Sequence, residues 1–142
     1  MSALSRQVFP DAGMTTARDS GAVRTLLADR HGVARCALAA LVTGLHGVKL
    51  VGEVDAREQL ADAVLQLRPD VVVIDDQLLS AGEHPLAGIG PTRSQVRVIV
   101  VGVDDDPAFA ARARRLGAEA WIAKDRADEE LPRLLEMPRP AC

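Results

Sequence analysis

Two runs constrain this chain more than anything else in it: "VVVID" at residues 71–75 and "VRVIVVGV" at 96–103. Both are rich in β-branched residues, whose restricted χ1 favours the extended backbone. Neither alternates apolar with polar side chains. A strand of that kind is buried on both faces, which places it at the centre of a parallel sheet covered by helices on either side. The remaining segments fit that demand. "AVRTLLAD" (22–29), "VKLVGEV" (48–54) and "AEAWIA" (118–123) read as three further strands.

Helical segments fall between the strands. Residues 32–45 form an Ala/Leu/Val-rich helix stopped by Gly44, and residues 56–68 form a second, ended before Pro69. Residues 104–117 form another, with Asp104, Asp105 and Asp106 as cap and first-turn acids, Pro107 at its start and Gly117 at its end. Residues 128–137 form the last, where Pro132 predicts a late start or a bend. Between the two central strands, "AGEHPLAGIGPT" (81–92) carries three Gly and two Pro, so the third helical segment is expected to be short or distorted. Residues 1–21 and 138–142 read as flexible tails around a domain at 22–137, with Met14 an alternative start.

Five strands alternating with helical segments predict a doubly wound, flavodoxin-like α/β domain with a parallel sheet in the order 2-1-3-4-5. The 142 residues suffice for one such domain. Only three aromatics are present, Phe9, Phe109 and Trp121, so the core must be aliphatic. A net charge of −3 gives no general attraction to nucleic acid. No apolar run reaches the roughly 18 residues of a membrane span. Cys36 and Cys142 read as free thiols of a reducing cytoplasm. The "ALAALV" stretch beside Cys36 reads as a core-facing helix. No glycine-rich phosphate loop follows the first strand, so an enzyme is not expected.

In doubly wound sheets the site lies beyond the carboxyl ends of the strands, where strand order reverses. Asp29 ends the first strand, Asp75 the third, and Lys124 follows the fifth. All three are expected at one sheet edge, either as a structural ion-pair cluster or as a working site. Asp76 is a further acid there, discounted because strand alternation turns it away from Asp75 or leaves it in the following loop. His31, His46 and His84 lack metal-ligand spacing and read as surface residues. Arg112, Arg114 and Arg115 read as a solvated helix face, with a partner surface as the sharper alternative.

From about residue 22 to 137 the chain resembles the receiver domain of bacterial two-component response regulators, in the branch that usually carries a C-terminal helix-turn-helix. The segments that carry the resemblance are "VRTLLADRHGVARCALAALV", "LVGEVDAREQLADAVLQLRPDVVVID", "VRVIVVGVDDDPAFAARARRLGAEAWIAKD" and "EELPRLLE". It implies that Asp75 stands at the phosphoacceptor position, that Asp29 and Asp75 are the candidate Mg²⁺ ligands, and that Lys124 pairs with the phosphoryl group. It implies Trp121 as the aromatic switch residue, with packing as its simpler role. The sequence departs from the pattern at three positions. Arg30 replaces the second acid, Gly102 replaces the Ser or Thr that grips the phosphoryl oxygens, and Leu79 replaces a Pro.

With Arg30 turned inward, its charge and that of Lys124 would balance Asp29 and Asp75, and its guanidinium would stand where the metal does. Facing solvent is the other placement open to it. The chain is therefore expected to hold no cofactor, or Mg²⁺ weakly, and to act as an atypical receiver in protein interactions. A conventional phosphoacceptor on Asp75, and the receiver part of a transcription regulator, are the alternatives. The implied partners are proteins, a sensor histidine kinase and a second copy of the chain among them. Nucleic acid and membrane are excluded for this chain alone.

Overall fold

The computed structural model describes residues 21–79, 84–103 and 106–136. Within them lie strands β1 (Val23–Ala28), β2 (Val48–Val54), β3 (Val71–Asp75), β4 (Arg97–Gly102) and β5 (Ala120–Ala123). Helices α1 (Gly32–Thr43), α2 (Leu60–Leu67), α3 (Pro107–Arg115) and α4 (Ala127–Glu136) alternate with them. All four strand pairings are parallel, and the order is β2-β1-β3-β4-β5. This is the doubly wound, flavodoxin-like sheet that the non-alternating runs require. Residues 1–20 and 137–142, with Met14 and Cys142, lie outside the described residues.

Alternation along each strand feeds two separate cores. Leu26, Ala28, Val72, Ile74, Val98 and Val100 meet Leu60 and Val64 of α2 and Ala113 of α3 on one face. Leu27, Val71, Val73, Ile99, Val101 and Ile122 meet Leu38 and Val42 of α1 and Leu131 and Leu135 of α4 on the other. Every residue of β3 is buried, as its composition demands. On α1, Leu38 and Val42 face the sheet, whereas Cys36 is exposed. The stretch beside the cysteine therefore faces the core only along part of its turn.

The connection between β3 and β4 is not an α-helix. Its described part is a 3₁₀ segment at Ala87–Gln95, broken at Gly90, where φ is +67°. A left-handed backbone there suits glycine and interrupts any regular helix. Helix α4 corrects the expectation of a late start. It begins at Ala127, fed by a 3₁₀ turn at Lys124–Arg126, and runs through Pro132 to Glu136. Asp106 caps α3, its Oδ1 accepting the Ala108 N–H at 2.9 Å. Asp104 and Asp105 lie outside the described residues.

Candidate functional site

Register places the site. Ala28 pairs with Ile74, Asp75 with Val101, and Gly102 with Ala123. One residue further along, Asp29 and Lys124 therefore leave the sheet at the same edge as Asp75. Asp29 is 0% exposed and Asp75 1%. The Lys124 Nζ stands between them, 3.0 Å from Asp29 Oδ2 and 2.9 Å from Asp75 Oδ1. The sequence brought these three together correctly, and they form a buried, hydrogen-bonded triad.

Burial alone pulls the Lys124 pKa down, because desolvation disfavours the ammonium. Hydrogen bonds and charge attraction from Asp75 and Asp29 outweigh it, and the net shift is upward from 10.5. The remaining carboxylate oxygens are held by the backbone. The His31 N–H donates to Asp29 Oδ1 at 2.8 Å, and the Gln77 N–H donates to Asp75 Oδ2 at 3.3 Å. Arg35 steadies the same turn, its Nη1 donating to the Asp29 carbonyl at 2.7 Å.

The structure decides placements that the sequence left open. Arg30 is exposed, and among the described residues no ion pair joins it to Asp29 or Asp75. It is therefore not the charge that neutralises the pocket. The tight clamp from Asp29 onto the His31 N–H sets the direction of the β1–α1 turn, and residue 30 points out of it. Asp76 takes the second placement open to it, in the loop that follows the strand. Strand geometry stops at Asp75, a 3₁₀ turn begins at Asp76, and the Asp76 carboxylate comes to lie against Gly102. A Cβ built on Gly102 would stand 2.6 Å from Asp76 Oδ2 and 3.0 Å from Trp121 Cζ2. Position 102 is thus closed by two side chains. Trp121 packs against the core, and its buried indole N–H has no hydrogen-bond partner among the described residues.

His31 is half-exposed, as expected of a surface residue, yet its ring lies beside Asp29. Its Nδ1 lies 3.4 Å from Asp29 Oδ1, and one donor atom each of Asp29, His31 and Asp75 lie within 4.8 Å of one another. The signal was present in the spacing. An Asp whose side chain accepts the N–H two residues on forms an Asx turn, and that brings residue 31 back over residue 29. His84 is likewise no plain surface residue. Its ring packs on Gly117, and its Nδ1 accepts the Leu86 N–H at 2.9 Å.

Mg²⁺ prefers near-octahedral oxygen coordination. Here the donors are two carboxylates and an imidazole, and Lys124 already cancels one of the two charges. This set does not fit Mg²⁺ well.

No family model matches the chain. Response regulator GacA of Pseudomonas aeruginosa is 26% identical over 115 residues, covering 77% of this chain and 51% of the relative. Response regulator UvrY of Escherichia coli K12 is 26% identical over 115 residues, covering 77% and 50%. A LuxR-family two-component response regulator from an Aurantimonas species superposes with a TM-score of 0.71 at 24% identity, covering 81% of this chain and 83% of that one. The non-phosphorylated receiver domain of the stress response regulator RcsB from Escherichia coli gives 0.69 at 20% identity, covering 80% and 90%.

The chain is a relative of response regulators and carries their receiver fold. It spans about half the length of the curated relatives it matches. Asp75, the residue that the sequence resemblance puts at the phosphoacceptor position, has Asp29 and Lys124 arranged around it. The departures lie at Arg30, Gly102 and Leu79, the last of which is buried in the core. Among the described residues no helix is long and apolar enough to cross a membrane.

Proposed function

We propose that this receiver is a cytoplasmic signalling module without turnover of its own. Protein partners set its state more than Mg²⁺-dependent phosphorylation of Asp75 does. The closure at Gly102 carries the reading. A phosphoryl group on Asp75 adds roughly two negative charges and needs donors around its oxygens. Position 102 offers no hydroxyl, and the space above it holds the Asp76 carboxylate and the Trp121 ring. The group would meet repulsion where the resembled family supplies a grip. The poor fit to Mg²⁺ removes a second source of charge neutralisation. The exposed Arg114 and Arg115, with Arg112 beside them in the last turn of α3, are a candidate partner surface.

Intact-mass measurement during incubation with acetyl phosphate and Mg²⁺ tests this. The wild type is expected to remain largely unmodified and indistinguishable from Asp75→Asn. Rapid, Mg²⁺-dependent gain of one phosphoryl group, absent in Asp75→Asn, would establish a conventional phosphoacceptor instead.

A second reading rests on length. Because the chain spans about half of GacA and UvrY, it fits the receiver part of a longer transcription regulator. The chain alone carries no basic helix-turn-helix pattern, so DNA contact would fall to other residues. A downstream reading frame encoding such a module supports this arrangement, and a stop followed by unrelated sequence rejects it.

A further inference from the structure

We infer that the hollow between the end of α2 and the β3–β4 connection is a binding site for a small organic acid, one carboxylate on an aliphatic or aromatic body. It lies at the amino ends of the strands, the edge away from Asp29, Asp75 and Lys124. The inference goes beyond the signalling reading and does not rest on it. Asp70 and Val96, the residues just before β3 and β4, line the hollow where the two strands begin. Val64, Leu65 and Arg68 line it from α2, and Thr92 from the 3₁₀ segment.

The hollow has a structural cause. A regular helix between β3 and β4 would lie beside α2 and cover it. The 3₁₀ segment at Ala87–Gln95 is broken at Gly90 and packs on the core around Leu86 and Ile89. The last turns of α2 stay uncovered, and Leu65 is 49% exposed there. The cavity has a volume of about 360 Å³, inside the roughly 300–1,000 Å³ of small-molecule sites.

Arg68 decides the ligand class. It ends α2 at φ +51°, and among the described residues no other non-glycine has a left-handed backbone. Glycine takes that conformation without strain, so what arginine supplies is its guanidinium. Arg24 clamps the backbone that carries it, its Nε donating to the Arg68 carbonyl at 3.1 Å and its Nη2 to the Leu67 carbonyl. The Arg68 side chain is exposed, and among the described residues no ion pair joins it to a carboxylate. A guanidinium receives a carboxylate through two parallel N–H bonds. The Asp70 carboxylate is committed to β1, its Oδ2 accepting the Arg24 N–H at 2.9 Å. An acid held on Arg68 therefore lays its apolar body against Val64, Leu65 and Val96, with the Thr92 hydroxyl at the rim.

The test follows backbone amide NMR shifts of the full chain during titration with phenylacetate, hexanoate and the neutral phenylacetamide. Both acids are expected to shift the Val64, Leu65 and Val96 amides saturably, with phenylacetamide at least about 10-fold weaker because it lacks the charge. Arg68→Gly should fold with a higher unfolding midpoint, since it relieves the left-handed arginine, and should bind either acid at least about 10-fold more weakly. Arg68→Lys, which keeps the charge without the fork, should fall between the two. Leu65→Ser should weaken hexanoate several-fold. Absence of saturable shifts overturns the proposal, as does wild-type affinity in Arg68→Gly. Equal binding of phenylacetamide overturns the assignment to an acid, and shifts centred on Asp29, Asp75 and Lys124 overturn the location.

Discussion

Gly102 is a packing requirement as much as a missing hydroxyl. Restoring Ser or Thr would press a Cβ into the Asp76 carboxylate and the Trp121 ring. Gly102→Thr is therefore expected to destabilise the domain by about 1–2 kcal/mol, the range for adding atoms to a filled site. Asp76→Ala in the same chain should recover part of that loss, because the carboxylate is the nearer obstacle. A urea-unfolding double-mutant cycle reads the coupling, expected to exceed about 0.5 kcal/mol. Strict additivity would place Asp76 away from residue 102. Alternation holds only while the strand lasts, and the strand ends at Asp75, which is why the sequence left Asp76 open between the far strand face and the following loop.

Among the elements, α4 departs most from intrinsic preference. Pro132 sits inside it, with no N–H for the carbonyl one turn back, yet Leu131 and Leu135 on either side are fully buried against the sheet. Tertiary burial holds a helix that propensity would break. Pro132→Ala should thus stabilise the domain, by about 1–3 kcal/mol after the greater freedom of the unfolded chain is subtracted. Thermal and urea unfolding measure it; a loss of stability would show that the proline is accommodated without strain. The 3₁₀ segment at Ala87–Gln95 shows the opposite balance. Its glycines and prolines were legible as a helix breaker, and nothing in the packing overrides them.

Across the whole molecule, connections far from the site tie the layers together and bring titration into stability. His84 from the β3–β4 connection packs on Gly117 at the foot of α3. Burial first, and then the positive charge of Arg93, hold its pKa below 6.5. The unfolded chain thus takes up this proton before the folded one does. The His84 contribution is fully present above about pH 6.5 and is lost as pH falls through the lowered folded value. Protonation also removes the acceptor that Nδ1 offers to Leu86. The melting temperature should fall between pH 7 and 5, and His84→Asn, which keeps an acceptor but does not titrate there, should fall less. Equal slopes would remove His84 as the cause. Lys124 works in the other direction: its raised pKa keeps the triad intact below 10.5 and releases it only as pH rises through the folded value.

What the sequence determined by itself was the architecture and the meeting of Asp29, Asp75 and Lys124. Unbroken β-branched runs admit one kind of sheet, and parallel strands of matched register deliver their last residues to one edge. Tertiary structure alone decided where Arg30, His31, Asp76 and His84 point. Each lies in a turn just past a strand or in an irregular connection, where periodicity has ended. There the direction of a side chain depends on single hydrogen bonds, such as that from the His31 N–H to Asp29, and on the space that neighbouring elements leave.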